Sequence, residues 1–507
     1  MHRINVAPSR IDQDAYTSTG QWSLVVHRVS RHSVEVWVGT LFPTLKMPER
    51  ARVRLIPKSG KVRTRVIRKW QRPFAGMKRR FFTVVTFQRL EAGSEYRLEF
   101  ERRIEAEPRA GIRPRWQRLR SGAFRTLPSR VPEKGRDAFT IALGSCFYNH
   151  RDGGRAAASY KALYERGSEA IRPDVTVLAG DQVYLDIGFD SLSLVEEEIR
   201  ERIADDYALH WQALGSMLSR GGTWMLPDDH EYWNDYPFID SLLPTLLALR
   251  LPSVRESWTK AARDGVKNVQ RSPVVESFTL GEDLSVCLAV LRSYRSGHTF
   301  LPEAPFNTLL EWAGRRACPG ILVIPQPLIV ERNAVERNLR SYETQYALLL
   351  EALGSVSHDV VVLSGDVHFG RIASVPIGTR GARLVEIISS PMSNLTGLNG
   401  LAASVATDRP ARFPNDAAAG ALGWQPRKVN YYKKGGSRGR FFVQSRKGRW
   451  LSAYPRDRTR EHIMTVNFCR RAEGIEVTAQ AWLLRQRTKA GHMPVRSFTK
   501  PFRTILT

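Results

Sequence analysis

Four continuous apolar runs in this chain each stop at residues that can ligate a metal ion, and this regularity constrains the fold more than any other feature. Phe139–Leu143 runs into Gly144-Ser145-Cys146, and Asp174–Ala179 into Gly180-Asp181-Gln182-Val183-Tyr184. Thr223–Leu226 leads to Asp228-Asp229-His230-Glu231 with Asn234 beyond, and Asp359–Leu363 to Ser364-Gly365-Asp366-Val367-His368. Runs that are apolar throughout, rather than alternating, suit a sheet covered on both faces. A helical stretch at Arg155–Glu165 separates the first two, which predicts a strand–helix–strand unit and a parallel sheet. In such sheets ligands gather beyond the carboxyl ends of the strands. Residues as distant in sequence as Cys146 and His368 are therefore expected to converge. A glycine before Asp181 and before Asp366 lets the backbone turn sharply beside a bound ion.

Taken singly, each motif has a plainer explanation. Gly-Asp after a strand is common turn chemistry. A cysteine there is usually a small buried hydrophobe. Asp-Asp-His-Glu would serve as a helix cap with an acidic first turn. The set as a whole resists these explanations. Lys and Arg number 77 against 50 Asp and Glu, a formal net charge of +27. A chain so basic has little reason to place acids and histidines at every strand end except to hold cations. Hard oxygens, imidazole and one thiolate suit an iron-like ion beside a second, harder one.

The 507 residues exceed one ordinary domain. Residues 1–20 read as a tail. From Trp22, short β-branched runs separated by Pro, Gly and Ser predict an all-β sandwich over 21–130. Leu90-Glu-Ala-Gly-Ser-Glu-Tyr96 resembles the tyrosine corner of immunoglobulin and fibronectin III-like sandwiches. Leu127–Arg136, with two prolines and a glycine, reads as the linker. An α/β domain, of the α+β sandwich kind, is expected over 136–507. Within it the periodicity predicts helices at Leu194–Leu218 and Tyr342–Leu353 and further strands at Leu284–Leu291, Leu384–Ile388, Ile463–Phe468 and Ile475–Leu484.

No run reaches ~18 apolar residues, so no spanning helix is expected. The first 25 residues show no secretory pattern and no twin arginine, and four scattered cysteines make no disulfide framework. A cytoplasmic protein is the expectation. Residues 50–80 carry thirteen basic residues and no acid, and 427–460 carry twelve with only Asp457. The second segment reads as a flexible basic insertion in which Trp424, Tyr431, Tyr432 and Trp450 neighbour the positive charge. Such segments attract polyanions, nucleic acid among them, or draw in acidic substrates.

Gly-Asp-x-x-Tyr, Asp-Asp-His-Glu with Asn234, and Gly-Asp-Val-His, in this order after Ser-Cys, resemble the PhoD-like alkaline phosphatase family of metallophosphoesterases. Tyr342-Glu-Thr-Gln345, Gln326-Pro327 and Glu386-Ile-Ile-Ser-Ser-Pro391 extend the resemblance. It implies a metallophosphoesterase-type catalytic domain behind a β-sandwich, acting on phosphate esters. It also implies ferric iron (Fe3+) at Cys146, Asp181 and Tyr184, with Asp181 bridging to a second ion of the calcium type, and Asn234, Asp366 and His368 serving the same centre. Asp229 and His230 would line the substrate pocket, with Asp229 or Glu231 orienting His230 as proton donor to the leaving group. The cations would clamp the phosphoryl oxygens and prime a water for attack. Arg292, in Leu291-Arg-Ser-Tyr-Arg295, is the expected phosphate-gripping arginine. The family pattern places an Asp two residues before it, where this chain has Val290. Two other functions fit the sequence: a phosphodiesterase on nucleic acid or lipid head groups, and a catalytically idle polyanion-binding module.

Overall fold

The computed structural model describes residues 18–105, 113–133, 138–149, 152–168, 171–187, 189–240, 244–332, 337–393, 409–414, 416–433, 461–484, 487–488, 491–492 and 494–507. The tail at 1–17, His150 and most of the basic segment 427–460, Trp450 included, lie outside these residues.

Seven strands come first: β1 (Ser23–His27), β2 (Ser33–Thr40), β3 (Ala51–Pro57), β4 (Arg63–Ile67), β5 (Phe81–Gln88), β6 (Glu95–Ile104) and β7 (Arg115–Arg125). They pair antiparallel in two groups, β1-β2-β5 and β4-β3-β6-β7. Alternation sets the inner face. Ala51, Val53 and Leu55 of β3 and Tyr96, Leu98 and Phe100 of β6 are buried against Val34, Val36, Val38 and Phe87. At the β6 entry the Glu91 N–H donates to the Tyr96 hydroxyl at 3.0 Å, pinning the preceding turn. In the basic segment, Arg52 and Arg54 are held by Glu101 and Glu99 at 2.6 and 2.7 Å.

The remaining chain builds two sheets. The first part supplies β8 (Phe139–Gly144), α1 (Arg155–Arg166), β9 (Val175–Ala179), α2 (Glu196–Leu218), β10 (Gly222–Leu226) and α3 (Pro252–Asp264). Next come β11 (Val275–Leu280), β12 (Leu284–Ala289), α4 (Glu303–Gly314), β13 (Gly320–Val323), α5 (Glu343–Gly354), β14 (Val360–Ser364), β15 (Arg371–Pro376) and β16 (Arg383–Ile388). The long hairpin β17 (His462–Arg471) and β18 (Gly474–Leu483) follows, and a later strand, Phe502–Leu506, pairs antiparallel with β18. One sheet runs β18-β17-β8-β9-β10-β1-β2-β5, with β8, β9 and β10 parallel. The other runs β11-β12-β13-β14-β16-β15, with β12, β13, β14 and β16 parallel. Because β1 pairs with β10 at His27 and Thr223, the N-terminal strands continue the first sheet.

The sheets pack face to face. Ile141, Leu143, Val177 and Trp224 of one meet Val286, Leu288, Val323, Val361, Leu363 and Ile387 of the other in a single core. Helices cover the outer faces. Tyr160, Tyr207, Trp211 and Trp258 of α1–α3 pack with Ala142, Leu178 and Met225. Leu309, Tyr346, Leu349 and Leu350 of α4 and α5 pack with Cys287, Leu322 and Val362. Every residue of β8, β9, β10, β12 and β14 is buried, which is why those runs do not alternate. Burying each large apolar side chain contributes roughly 1.5–3 kcal/mol. Val290 belongs to the core between the sheets. No helix among the described residues is long and apolar enough to cross a membrane.

Two histidines are held neutral by this packing. Burial, with Arg271 next, drives the His27 imidazole down to about 3, and burial drives His210 to about 4. A folded-state pKa below the unfolded value means that stability is complete above about pH 6.5 and is lost as pH falls toward the folded values. The His27 contribution is therefore expected to fade below about pH 6.5, so that the melting-temperature difference between wild type and His27→Gln moves in the variant's favour as pH falls. An identical pH profile in the variant would remove His27 from the account.

Candidate metal centre

Both sheets aim their carboxyl ends at one place. β8 delivers Cys146, β9 delivers Asp181 and Tyr184, and β10 delivers Asp228, Asp229 and His230. From the facing sheet, β12 delivers Arg292, β13 delivers Gln326, and β14 delivers Asp366 and His368. The backbone is forced here. Of eight non-glycine residues with positive φ among the described residues, five belong to this rim: Cys146 (54°), Asp181 (58°), Asp235 (59°), Asp366 (68°) and His368 (52°). Each costs on the order of 1–3 kcal/mol and persists because the surroundings hold it. The two glycines act differently. Gly180 adopts φ +98°, open to glycine alone at low cost, whereas a side chain on Gly365 would strike the Ala179 carbonyl and Ser145, where the sheets touch.

Three sets of donor atoms lie within 4.8 Å of one another: Cys146, Asp181 and His368; Asp181, Asp229 and His230; and Asp228, Asp229 and Asp366. Asp181 is common to the first two. Its Oδ2 lies 3.4 Å from Cys146 Sγ and 3.3 Å from the Tyr184 hydroxyl, which is 3.5 Å from His368 Nε2. Thiol, carboxylate, phenol and imidazole thus meet on one buried point. Asp181 Oδ1, Asp228 Oδ2 and Asp229 Oδ1 are buried without a hydrogen-bond partner. Buried polar atoms are nearly always satisfied, so orphaned carboxylate oxygens facing one space fit cations held there.

The electrostatics agree. Burial first, then neighbouring acids, push the Asp181 and Asp366 carboxyls well above the usual carboxylate range, and Asp228 shifts the same way by burial. Burial and the same acids raise the Cys146 thiol and the Tyr184 phenol. Asp229 moves down, because Arg292 and His230 outweigh its burial. His230 moves well up, since Asp186, Asp229 and Asp181 overcome its burial. Acids this reluctant to ionise together either keep their protons or share added positive charge.

The surrounding layer corrects two expectations. The partner of His230 is neither Asp229 nor Glu231 but Asp186, whose Oδ1 meets Nδ1 at 2.7 Å while its Oδ2 accepts the Asn234 N–H at 2.9 Å. Glu231 turns the opposite way. It accepts the backbone N–H groups of Asp181 (3.1 Å), Gln182 (2.6 Å), Val183 (3.3 Å) and Asp228 (2.9 Å), and the Gln270 amide at 3.1 Å. Adjacent side chains on a turn diverge, so His230 and Glu231 could not both face the same acid. Nothing in the sequence around Asp186 marks it for this role. Two further residues, present in the sequence motifs without an assigned role, hold the side chains of the site in place. Ser390 Oγ donates to Cys146 Sγ at 3.1 Å and accepts the His368 N–H at 3.0 Å. Gln326 donates to Asp366 Oδ2 at 3.1 Å and is itself held by Arg295 at 2.6 Å.

Of the sequence-predicted residues, Cys146, Asp181, Tyr184, His230, Asp229, Asp366 and His368 come together. Asn234 stands beside them, its backbone tied to Asp186. Arg292 is fully buried and turned to carboxylates: Nε donates to Asp228 Oδ1 at 2.8 Å, and Nη1 lies 3.5 Å from Asp235 Oδ1.

No family model matches the chain, and no curated protein matches it. Among solved structures it is similar to purple acid phosphatase PPD1 from yellow lupin (Lupinus luteus) seeds, with 11% identity and a TM-score of 0.51 over 94% of this chain and 73% of that one. Bacteroides uniformis beta-glucuronidase 2 gives 6% identity and a TM-score of 0.22 over 66% and 44% of the two chains. A glycosyl hydrolase family 2 member from Bacteroides cellulosilyticus gives 9% and 0.20 over 69% and 37%. Scores at that level describe no shared fold. The first likeness does: the chain has a mixed α/β, several-sheet fold like that of a purple acid phosphatase.

Proposed function

We propose that this protein is a metal-dependent phosphoric ester hydrolase of the PhoD-like kind. The observation that carries the proposal is Asp181, placed at the meeting of the sheets with a thiol and a phenol on one side and the Asp229 carboxylate on the other. In this reading Cys146, Asp181, Tyr184 and His368 hold an iron-type ion, and Asp229, Asn234 and Asp366 serve its calcium-type neighbour. When bound, such ions stabilise charge on phosphoryl oxygens and lower the pKa of water. The chain supplies the rest. Asp186 fixes the His230 ring and favours a proton at Nδ1, leaving Nε2 to pass a proton to the departing alkoxide. Arg292 keeps Asp228 and Asp229 in place. The first seven strands are read as a fibronectin III-like sandwich over 21–130 that extends the catalytic sheet of 136–507. Four buried free cysteines fit a cytoplasmic setting.

The test is turnover of a chromogenic phosphate monoester together with metal content. His230→Gln is expected to lower turnover by about a hundredfold or more while metal content stays near wild type. Equal loss of both would make His230 a ligand. If Tyr184 lies on ferric iron, the purified protein is coloured and Tyr184→Phe bleaches it. Unchanged absorbance would detach Tyr184 from the ion.

A further inference from the structure

The third donor set, Asp228, Asp229 and Asp366, looks like a further ion position, yet a guanidinium already sits against it. Arg292 is wholly buried at the end of β12. Its Nε donates to Asp228 Oδ1 at 2.8 Å, its Nη2 lies 4.0 Å from Asp229 Oδ1, and its Nη1 lies 3.5 Å from Asp235 Oδ1. The Tyr236 carbonyl accepts from Nη1 at 3.3 Å, a contact with neutral backbone that fixes the plane of the group independently of charge. Asp366 is served from the same strand end, because Arg295 holds Gln326 and Gln326 donates to Asp366 Oδ2. Two arginines of one loop thus attend the acids of this set, one directly and one through an amide. Asp235 is further committed to Arg337 at 2.7 Å.

We infer that Arg292 is a resident cation that occupies the electrostatic place of a third metal ion, so that the centre is complete with two ions and Arg292 sets that number. This rests on the metal-centre reading above and narrows it. A guanidinium is always charged and makes fixed, directional hydrogen bonds. A divalent ion on the unpaired Asp228 Oδ2 would leave the Nε hydrogen bond on Oδ1 in place but would stand beside a buried guanidinium, a repulsion that a water-excluded site does not screen.

The experiment counts ions per chain in the purified holoprotein by elemental analysis, with Ca2+ supplied in excess. Wild type is expected to carry two. Arg292→Lys, which keeps the charge, is expected to carry two as well. Arg292→Met leaves Asp228 and Asp229 uncompensated and is expected to carry three. Its melting temperature is then expected to rise with added Ca2+ beyond the point where wild type is saturated. Arg292→Met with two ions and a wild-type Ca2+ response would overturn the inference. Anomalous scattering from crystals of the metal-loaded wild type gives the same answer without relying on any variant folding: two peaks are expected, and a third ligated by Asp228 would overturn it. The two levels of the account fail differently. Three ions in wild type sink this inference and leave the metal centre standing, whereas no ions at all sink both.

Discussion

Replacing Asp181 by asparagine is expected to abolish phosphate ester turnover, by at least about a thousandfold, and to empty both ion positions together. The reason is its place. One oxygen lies 3.4 Å from Cys146 Sγ and 3.3 Å from the Tyr184 hydroxyl, the other is buried without a partner, and the residue belongs to both the Cys146–His368 and the Asp229–His230 donor sets. An amide keeps the shape and loses the charge that two cations share. The substitution also separates ligand loss from structural loss. Burial and acidic neighbours make an ionised Asp181 unfavourable in the metal-free chain. A neutral amide relieves that repulsion, so metal-free Asp181→Asn is expected to melt at or above metal-free wild type. Loss of activity with a lowered metal-free melting temperature would mean that Asp181 is a packing residue. Retention of one ion at full occupancy would mean that it does not bridge.

Glu231→Leu is expected to have the largest effect on stability among the residues of the site. Four backbone amides and the Gln270 side chain converge on its carboxylate, clasping the Asp181 turn of β9 to the Asp228 turn of β10. Leucine leaves those donors buried and unpaired, at about 1–3 kcal/mol each. A loss of at least about 4 kcal/mol follows, seen as a fall in melting temperature of about 4 °C or more. Metal affinity falls with it, because Asp181 is no longer aimed. Glu231→Gln keeps an accepting oxygen and is expected to fall between wild type and leucine. A leucine variant that melts like wild type would show that the amides find other acceptors.

The sequence made the candidate ligands legible because the sheet made them regular. Strands buried on both faces read as unbroken apolar runs, and the polar residue that ends such a run stands at the sheet rim. Cys146, Asp181, Asp229 and Asp366 could be found that way. The second layer could not. Asp186, Gln326 and Ser390 act through partners distant in sequence, and nothing in their neighbourhoods distinguishes them from ordinary turn residues. β13 was missed because Gly320-Ile-Leu-Val323 is four residues long and follows a proline, although it joins β12 to β14. β11 and β15 lie at or beside the edge of their sheet, and their polar and charged residues hid them. The orientation of His230 was misread for a local reason: neighbours in sequence were offered as its partner, whereas the turn sends Glu231 to the β9 amides and leaves His230 to Asp186.

Elemental analysis of the purified wild-type chain, scored beside its turnover of a chromogenic phosphate ester, tests the central claim most directly. The account predicts one iron and one further divalent ion per chain, with activity lost when a chelator strips them and regained when both are restored. A folded chain that carries no iron-type ion, or that hydrolyses the ester equally well after stripping, would contradict it.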